Sequence, residues 1–232
     1  MEDMTTTLIT GANKGLGYEA ARRLLAAGHD VWVGARDTER GQKAAEELGA
    51  RFVQIDVTSE QSVTAAATTV ASETGLDVLI NNAGIAVRTP AEEVTAADML
   101  HTYDTNVFGP VRMTRAFVPL LLRSRAPVIV NVSSGLGSET VVRDPDRTEF
   151  HVNALAYCSS KSALVMVTTQ YAKTYPGIKI NVVDPGHTAT DLNGNSGPQN
   201  VTEGTDAIVA MATIGPDGPT GTFTHRHGDV PW

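Results

Sequence analysis

The stretch Thr6-Thr7-Leu8-Ile9-Thr10-Gly11-Ala12-Asn13-Lys14-Gly15-Leu16-Gly17 decides the fold class of this chain. A β-prone run comes first, a loop with three glycines follows, and an amphipathic segment from Tyr18 to Ala27 comes next. Strand, glycine loop and helix in this order open a βαβ unit. Glycines let a backbone approach a ligand closely, and the free N–H groups at a helix start attract phosphate. The spacing Gly-x-x-x-Gly-x-Gly differs from the common dinucleotide fingerprint, and glycine-rich turns also occur without a ligand.

The rest of the chain alternates strand-like and helix-like segments. The predicted strands are residues 6–10, 30–35, 51–55, 78–80, 127–132, 179–183 and 221–224. The predicted helices are residues 18–27, 38–48 with Thr38 as the cap, 59–74, 96–123, 154–175 and 202–212. Fully apolar runs such as 78–80 are typical of parallel strands covered on both faces. We therefore predict one domain over residues 1–232, an α/β fold with a Rossmann-type, doubly wound parallel sheet of about seven strands.

Prolines and polar runs mark where this pattern is interrupted. Pro110 and Pro119 predict a break or kinks in the long helix 96–123. Residues 135–153 are polar and without period, which predicts a loop over the site. Residues 193–200 are dense in Asn, Gly and Pro, which predicts a mobile lid.

The composition argues against several classes of protein. A formal net charge of -8 predicts repulsion of a nucleic-acid backbone. No apolar run reaches the roughly 18 residues of a membrane span, and the N-terminus lacks the pattern of a secretory leader. The single cysteine, Cys158, excludes an intrachain disulfide and fits a reducing compartment such as the cytoplasm. His225 and His227 have no obvious third ligand, so no metal site is predicted.

Tyr157 and Lys161 are the first candidates for chemistry. They lie four residues apart in a helix-like segment, so both side chains leave from one face. At roughly 4 Å and an effective dielectric of about 20, a positive charge would lower the phenol pKa by up to about three units. Tyr157 would then serve as a general acid and base near neutral pH. Ordinary exposed helix pairs share this spacing, so the pair alone does not decide.

Arg36 and Asp37 bear on the choice of cofactor. They lie about 20 residues past the glycine loop, where a Rossmann site contacts the adenosine ribose. An acid there accepts from the 2′-hydroxyl of NAD, whereas a base pairs with the 2′-phosphate of NADP. Lys14 adds a second positive charge and favours NADP(H) over NAD(H). The alternative is that Arg36 is a solvated turn residue.

Several motifs occur together along nearly the whole chain. In order, they are Thr10-Gly11-x-x-x-Gly15-x-Gly17, Asn81-Asn82-Ala83-Gly84, Asn106, Ser134, Tyr157-x-x-x-Lys161 and Pro185-Gly186. This order resembles the short-chain dehydrogenases/reductases. The segments 11–15 and 35–37 look like those of NADPH-preferring, carbonyl-reductase-like members. The resemblance implies an oxidoreductase that moves a hydride between NADP(H) and a carbonyl or alcohol substrate, reducing a ketone or aldehyde.

The resemblance also implies a role for each matching residue. Tyr157 would exchange a proton with the substrate oxygen, while Lys161 lowers the phenol pKa and holds the nicotinamide ribose. Ser134, with Ser133 as the alternative, would hydrogen-bond the substrate oxygen, and Asn106 would hold a proton-relaying water. Pyrophosphate would pass the glycines, adenine would meet residues 56 and 57, and the carboxamide would meet residue 188. The implied cofactor-binding residues, besides Tyr157 and Lys161, are Gly11, Asn13, Lys14, Gly15, Leu16, Gly17, Arg36, Asp56, Val57, Asn82, Ala83, Gly84, Pro185, Gly186 and Thr188.

The sequence leaves alternatives open for both the function and the oligomeric state. A catalytically silent NAD(P)-sensing protein on the same fold is one, and an epimerase or dehydratase that retains NAD is another, which the short C-terminal region weakens. Ser134 and Tyr157 are 23 residues apart, between the compact family members and the carbonyl reductases with an inserted helix. This spacing leaves the lid and the oligomeric state open. Related proteins of this size often pair through two long helices, which implies a homodimer or homotetramer.

Overall fold

Eight strands form one sheet in the computed structural model, which describes residues 4–87 and 89–232. The strands are β1 (Thr6–Thr10), β2 (Asp30–Ala35), β3 (Arg51–Gln54), β4 (Val78–Asn81), β5 (Val128–Val132), β6 (Lys179–Val183), β7 (Phe223–His225) and β8 (Gly228–Asp229). Their order is β3-β2-β1-β4-β5-β6-β7-β8, and every neighbouring pair is parallel except β7 with β8. The predicted parallel sheet is confirmed, and β8 adds a short antiparallel strand at its edge.

Helices cover both faces of this sheet. They are α1 (Gly15–Ala26), α2 (Thr38–Leu48), α3 (Glu60–Glu73), α4 (Ala96–Tyr103), α5 (Gly109–Leu121), α6 (Glu139–Arg143), α7 (Leu155–Thr174), α8 (Val201–Gly204) and α9 (Asp206–Ala212). Side chains such as Leu24 and Ile208 pack α1, α2 and α9 on one face. Phe117 and its neighbours pack α3, α5 and α7 on the other. The central strands are apolar nearly throughout because both of their faces are buried.

The strand order reverses between β1 and β4. β2 and β3 extend the sheet on one side of β1, whereas β4 to β8 extend it on the other. Leu8 of β1 pairs with Leu79 of β4 at the centre of this junction. The loops that follow two strands at such a switch point leave in opposite directions, which opens a crevice at the carboxyl ends. These loops begin at Gly11 and Asn82.

The structure corrects two predicted helix starts. α1 begins at Gly15 rather than Tyr18, so the last two glycines of the loop belong to its first turn. α2 begins at Thr38 as predicted, but its cap is Asp37, whose carboxylate accepts from the N–H of Arg40 at 2.9 Å. Both aspartate and threonine side chains satisfy an N–H group at a helix start. Composition therefore did not distinguish these neighbouring positions.

The predicted helix 96–123 is interrupted, but not by its prolines. A π-helical turn, Asp104–Phe108, separates α4 from α5 and contains Asn106. Pro110 lies in the first turn of α5, where its missing N–H has no intrahelical partner to lose, and Pro119 lies inside the same helix. Wider turns of this kind are frequent at functional sites.

Both segments predicted as loops contain ordered backbone structure. Residues 135–153 hold α6 and two 3₁₀ turns, Gly135–Gly137 and Thr148–His151, in place of one irregular loop. Residues 193–200, predicted as a mobile lid, fold back on the chain before them. Thr188 and Gln199 form a bridge there, and the N–H of Ala189 donates to the carbonyl of Gln199 at 2.8 Å. The polar residues that suggested mobility supply the turns and amides of this closed loop.

His29 is a partly buried imidazole at the turn between α1 and β2. Its Nδ1 lies 2.8 Å from the hydroxyl of Thr7 in β1. Burial lowers the pKa of His29 below its usual 6.5, and the carboxylate of Asp77 acts in the opposite direction. The fold therefore favours the neutral imidazole.

We expect His29 to make the fold less stable in mild acid. The unfolded chain binds a proton at this residue at a higher pH than the folded chain, so stability is lost as the pH falls below about 6.5. His29→Asn removes the titrating group, and its deficit in melting temperature should shrink between about pH 7.5 and about pH 5. His101→Asn, at an exposed position of α4, is the control. A deficit that does not change with pH would contradict this role.

Candidate active site

A cleft of about 380 Å³ opens at the carboxyl ends of the central strands. The glycine loop, the ends of β4 and β5, α7 and the segment after β6 line it. Ligands of open α/β sheets bind at this edge. The predicted site residues that line the cleft are Lys14, Gly15, Leu16, Asn82, Gly84, Tyr157, Lys161 and Pro185.

Hydrogen bonds join the glycine loop to the end of β4. Asn82 Nδ2 donates to the carbonyl oxygens of Thr10 at 2.9 Å and Gly11 at 3.3 Å. The hydroxyl of Thr10 accepts from the N–H groups of Asn82 and Ala83, both at 3.0 Å. The side chain of Asn82 therefore holds the backbone of the glycine loop and also lines the cleft.

Two glycines of the loop are required by its geometry. Gly11 has a φ of +66°, in the left-handed region that side chains rarely adopt. A β-carbon at Gly17 would lie 2.6 Å from both Asn82 Nδ2 and the carbonyl oxygen of Gly11. These bare positions let α1 start directly beside the loop. Because N–H groups in the first turn of a helix lack intrahelical partners, this start is suited to a pyrophosphate.

Lys14 forms an ion pair at the rim of the cleft. Its Nζ lies 2.8 Å from Asp191 Oδ2, in the segment after β6. Both side chains are more than half exposed, so the pair contributes little to stability. The pair nevertheless joins the two sides of the cleft.

Arg36 and Asp37, whose charges imply opposite cofactors, have different environments. Asp37 caps α2 and pairs with the guanidinium of Arg40 at 2.8 Å, and both bonds lower the pKa of its carboxyl. Arg36 is exposed, and within residues 4–87 and 89–232 no hydrogen bond or ion pair engages its guanidinium. Arg36 and Asp56 line a second, open groove of about 520 Å³ beside α3.

Asp56 and Val57, the predicted adenine contacts, are partly committed to the fold. One carboxylate oxygen of Asp56 accepts from both the N–H and the hydroxyl of Thr58, at 3.0 and 2.7 Å. Val57 is buried, and its side chain packs so closely on Gly109 that a β-carbon there would lie 3.0 Å from it. Its carbonyl oxygen accepts from Arg112.

The helix spacing brings Tyr157 and Lys161 together. Lys161 Nζ lies 5.5 Å from the centre of the Tyr157 ring. The ammonium donates to the carbonyl of Val132 at the end of β5, at 2.8 Å. Burial lowers the pKa of Lys161 to about 8. The ammonium therefore keeps most of its charge at neutral pH.

The phenol of Tyr157 is a weaker acid than the sequence predicted. Burial raises its pKa above the usual 10.0, and the charge of Asp184 raises it further, while a hydrogen bond with Ser134 lowers it. The predicted lowering by Lys161 is not observed, since that estimate assumed roughly 4 Å and no loss of hydration. The ammonium instead contacts Val132. The phenol is protonated near neutral pH.

The two adjacent serines have different partners. The hydroxyl of Ser133 donates to the carbonyl of Lys161 at 3.1 Å and is buried. The hydroxyl oxygen of Ser134 accepts from the N–H of Leu136 at 3.2 Å and hydrogen-bonds the phenol of Tyr157. Because the N–H of Leu136 occupies one lone pair, the O–H of Ser134 can point toward the phenol oxygen. Ser133, rather than Ser134, lines the cleft, whereas Ser134 is the serine that hydrogen-bonds the phenol.

Asn106 connects the π-helical turn to the loop after β4. Its Oδ1 accepts from the N–H of Ile85 at 2.9 Å, and its Nδ2 donates to the carbonyl of Ile85 and to Ser160 Oγ. A β-carbon at Gly84 would lie 3.5 Å from Asn106 Oδ1 and 3.6 Å from Lys161 Nζ. Asn106 and Lys161 thus both lie next to the backbone at Gly84. The side-chain amide of Asn106 hydrogen-bonds the backbone of Ile85 and the hydroxyl of Ser160, not the ammonium of Lys161.

The segment after β6 turns sharply at Gly186, which has a φ of +71°. The hydroxyl of Thr188 donates to the carbonyl of Pro185 at 3.0 Å, so the turn itself engages it. The N–H of Gly186 donates to the carboxylate of Asp184 at 2.8 Å. Pro185 lines the cleft, whereas Thr188 is buried within the loop.

Sequence reasoning missed the contacts of three polar residues, Asn131, Asp184 and Asp191. Asn131 of β5 accepts from Asn81 of β4 and donates to Thr168 of α7, at 2.8 and 2.9 Å, deep in the core. Its position inside an apolar strand was the available signal. Asp184 and Asp191 carried no such signal, because aspartates before and after a turn are common.

Within residues 4–87 and 89–232, no group of three or more His, Cys, Asp or Glu side chains is arranged to hold a metal ion. No helix in the same part of the chain has both the length and the apolar character that crossing a membrane requires.

Comparisons with known proteins support one family. The profile described as short chain dehydrogenase matches residues 5–201. The chain is 30% identical to (+)-neomenthol dehydrogenase of Capsicum annuum, covering 97% of this chain and 98% of the relative. It is 31% identical to (-)-isopiperitenone reductase of Mentha piperita, covering 94% and 95%. NADPH-bound carbonyl reductase from chicken fatty liver has a TM-score of 0.86 at 30% identity, covering 99% of each chain.

The matched residues include the whole glycine loop, Ser134, Tyr157, Lys161 and the turn after β6. The family profile therefore covers the strand ends that form the cleft as well as most of the sheet. The chain belongs to the short-chain dehydrogenases, a family of oxidoreductases.

Proposed function

We propose that this protein transfers a hydride between NADP(H) and a carbonyl or alcohol substrate, and that it reduces a ketone or aldehyde. The observation that carries the proposal is the proximity of three side chains, two of which, Tyr157 and Lys161, line the cleft. The phenol of Tyr157 hydrogen-bonds Ser134, and the ammonium of Lys161 lies 5.5 Å from the phenol ring. A proton donor, a hydrogen-bond donor and a cation placed together suit an oxygen that gains negative charge.

The glycine loop supports a dinucleotide cofactor. A side chain at Gly17 would collide with the carbonyl of Gly11 and the amide of Asn82, so the bare backbone at Gly17 lets α1 start beside the loop. That start would hold the pyrophosphate, with residues 13–17 around it. Arg36 supports NADP(H) because its guanidinium is available whereas Asp37 is committed to the cap of α2. Asp56, Val57, Asn82 to Gly84, Pro185, Gly186 and Thr188 complete the proposed cofactor contacts.

The catalytic steps follow from the three side chains. The nicotinamide cofactor supplies the hydride when bound. As the substrate oxygen gains charge, Ser134 donates a hydrogen bond to it and Tyr157 donates its proton. The raised pKa of the phenol keeps that proton available at neutral pH. Lys161 then stabilises the phenolate and holds the nicotinamide ribose. Asn106 holds a water that relays a proton toward Lys161.

An apolar ketone is the substrate class that the cleft favours. Apolar side chains of the segment after β6, Leu192 and Val201 among them, line the cleft together with Ala189. The relatives named above are called neomenthol dehydrogenase, isopiperitenone reductase and carbonyl reductase. We therefore propose small apolar ketones, with aldehydes and quinones as further members of the class.

We also propose that residues 1–232 act as one domain that pairs with copies of itself in the cytoplasm. Leu100, Phe108 and Met166 are 64%, 41% and 58% exposed on α4, the π-helical turn and α7. Large apolar side chains exposed on neighbouring helices suit a homodimer or homotetramer. The single cysteine suits a reducing compartment.

A cofactor-sensing protein without turnover is the competing function. It requires the glycine loop but not the pairing of Tyr157 with Ser134, which contributes nothing to a pyrophosphate site. Turnover separates the two functions directly.

The purified protein should consume NADPH when it is mixed with small apolar ketones such as isopiperitenone. Tyr157→Phe should lower kcat by about 10²- to 10⁴-fold because the proton donor is lost, while the Kd for NADPH changes by less than about threefold. Near-ultraviolet absorbance of NADPH reports turnover, and fluorescence titration reports binding. Tyr175→Phe, at the far end of α7, is the matched control. Turnover by Tyr157→Phe close to that of the unaltered protein would overturn the assignment of Tyr157.

Arg36→Ala should raise the KM for NADPH by about tenfold or more, because one charge-assisted bond to the 2′-phosphate contributes at least about 1.4 kcal/mol. The KM for NADH should change little, since NADH has no phosphate at that position. Steady-state kinetics with each cofactor measure both values. Arg115→Ala removes an exposed guanidinium from α5 as a control. Equal changes for the two cofactors would remove the case for NADP(H).

Reduction should slow as the pH rises through about 8. At that pH Lys161 loses its proton, since burial lowers its pKa to about 8, while the phenol of Tyr157 stays protonated. The cation that stabilises the developing phenolate is then absent. The kcat/KM for ketone should fall by up to about tenfold per pH unit above this point, and Lys161→Met should be slow without such a limb. A constant rate up to about pH 10 would argue against this role.

A further inference from the structure

Asp184 is a buried acid whose part in the proposed mechanism, so far, is only to help raise the pKa of the Tyr157 phenol. It directly follows β6 and is only 7% exposed. In the part of the chain that the structure describes, no ion pair engages it. A carboxylate is rarely buried without a cation, because the loss of hydration is costly. Its position next to the cleft therefore calls for a reason beyond packing.

Two backbone N–H groups from different strand ends converge on this carboxylate. The N–H of Gly186 donates to Oδ1 at 2.8 Å. The N–H of Gly135, the residue after Ser134, donates to the same carboxylate. A β-carbon at Gly135 would lie 3.1 Å from Asp184 Oδ2, so the absence of a side chain there permits the approach. One side chain thus ties the end of β5 to the end of β6.

This tie acts on the serine beside the phenol. Ser134 precedes Gly135 and Leu136 follows it. The hydroxyl oxygen of Ser134 accepts from the N–H of Leu136, so this bond spans Gly135. The direction of the serine hydroxyl therefore depends on the backbone that Asp184 holds. A neutral side chain accepts backbone N–H groups more weakly, since bonds to a charged acceptor are roughly twice as strong.

Other titratable groups act on Asp184 from three packed elements. Glu149, in the 3₁₀ turn 148–151, raises the pKa of Asp184 in addition to burial, whereas His225 of β7 lowers it. A β-carbon at Gly135 would lie 3.2 Å from Glu149 Oε1 as well as 3.1 Å from Asp184 Oδ2, so both carboxylates approach Gly135. Tyr157 of α7 is the third group, and the Asp184 charge keeps its phenol protonated. The carboxylate therefore gains a proton at a higher pH than an ordinary aspartate does.

We propose that Asp184 is a positioning residue, whose ionised carboxylate ties the backbone after Ser134 to the backbone after β6 and so directs the serine hydroxyl to the substrate oxygen. This inference rests on the proposed function. In acid the tie weakens as the carboxylate becomes neutral. Reduction therefore depends on a proton equilibrium at a group that does not contact the substrate.

The test compares Asp184→Asn with the unaltered protein in ketone reduction by NADPH across a range of pH. The amide is neutral, so the variant imitates the protonated acid. At neutral pH its kcat should be about tenfold lower, and the unaltered protein should approach it as the pH falls. The primary isotope effect with NADPH deuterated at the transferred position should increase, because chemistry becomes slower relative to product release. A partly unfolded variant would lose kcat without that increase.

Two further variants keep the test decisive. Glu149→Gln removes the neighbouring charge, so the acid limb should move to lower pH while the neutral rate is kept. Asp217→Asn, an exposed acid elsewhere, should change neither. If Asp184→Asn does not fold, the shift in Glu149→Gln decides. Identical acid limbs in the unaltered protein and in each variant that folds would overturn the proposal.

A melting experiment separates this inference from the proposed function. Because burial disfavours the ionised form of Asp184, the unaltered protein loses stability as the pH rises above the pKa of a free aspartate. The melting temperature of Asp184→Asn relative to the unaltered protein should therefore increase with pH. If no ketone is reduced but this trend is present, the proposed function fails, although Asp184 is still shown to be a buried, ionised acid. If ketones are reduced but neither the trend nor the acid limb is present, the inference fails alone.

Discussion

The hydrogen bonds between Thr10 and Asn82 are the constraint on which the active site depends. β1 and β4 are neighbours in the sheet, and the loops that follow them leave the shared edge in opposite directions. At that point the side chains of Thr10 and Asn82 satisfy backbone groups that would each cost about 1–3 kcal/mol if buried without partners. The bare backbone at Gly17 then lets α1 begin against the same bonds. The glycine loop, the end of β4 and the start of α1 therefore form one frame.

Local patterns predicted most of this architecture because each depends on residues close together in the chain. Apolar runs located the parallel strands, and the glycine spacing located the first helix start to within three residues. The π-helical turn at Asn106 was not predicted, because no composition distinguishes it from an ordinary helix turn. The ion pair between Lys14 and Asp191 joins residues 177 positions apart, and only the folded chain reveals such a contact. The cap of α2 was misplaced by one residue because Asp37 and Thr38 are both good caps.

Burial, rather than helix spacing, dominates the pKa values of Tyr157 and Lys161. The four-residue spacing correctly predicted that Tyr157 and Lys161 meet, but a Coulomb estimate between two charges ignores what each loses on leaving water. Loss of hydration raises the pKa of the phenol and lowers that of the ammonium. An anion, Asp184, lies behind the phenol, and a cation lies beside it. Burial and the charge of Asp184 raise the pKa of the phenol, so the phenol is protonated near neutral pH, whereas the cation beside it favours the phenolate.

The closed loop between Thr188 and Gln199 has a consequence for how the protein diversifies. Within it, the N–H of Ala189 donates to the carbonyl of Gln199 and the amide of Asn193 donates to the carbonyl of Thr188. The loop contributes apolar side chains to the cleft, and its Asp191 pairs with Lys14 of the glycine loop. Substitutions among the apolar side chains of this loop can therefore change the shape of the cleft while the sheet keeps its register. New substrate ranges can then arise on an unchanged chemical platform.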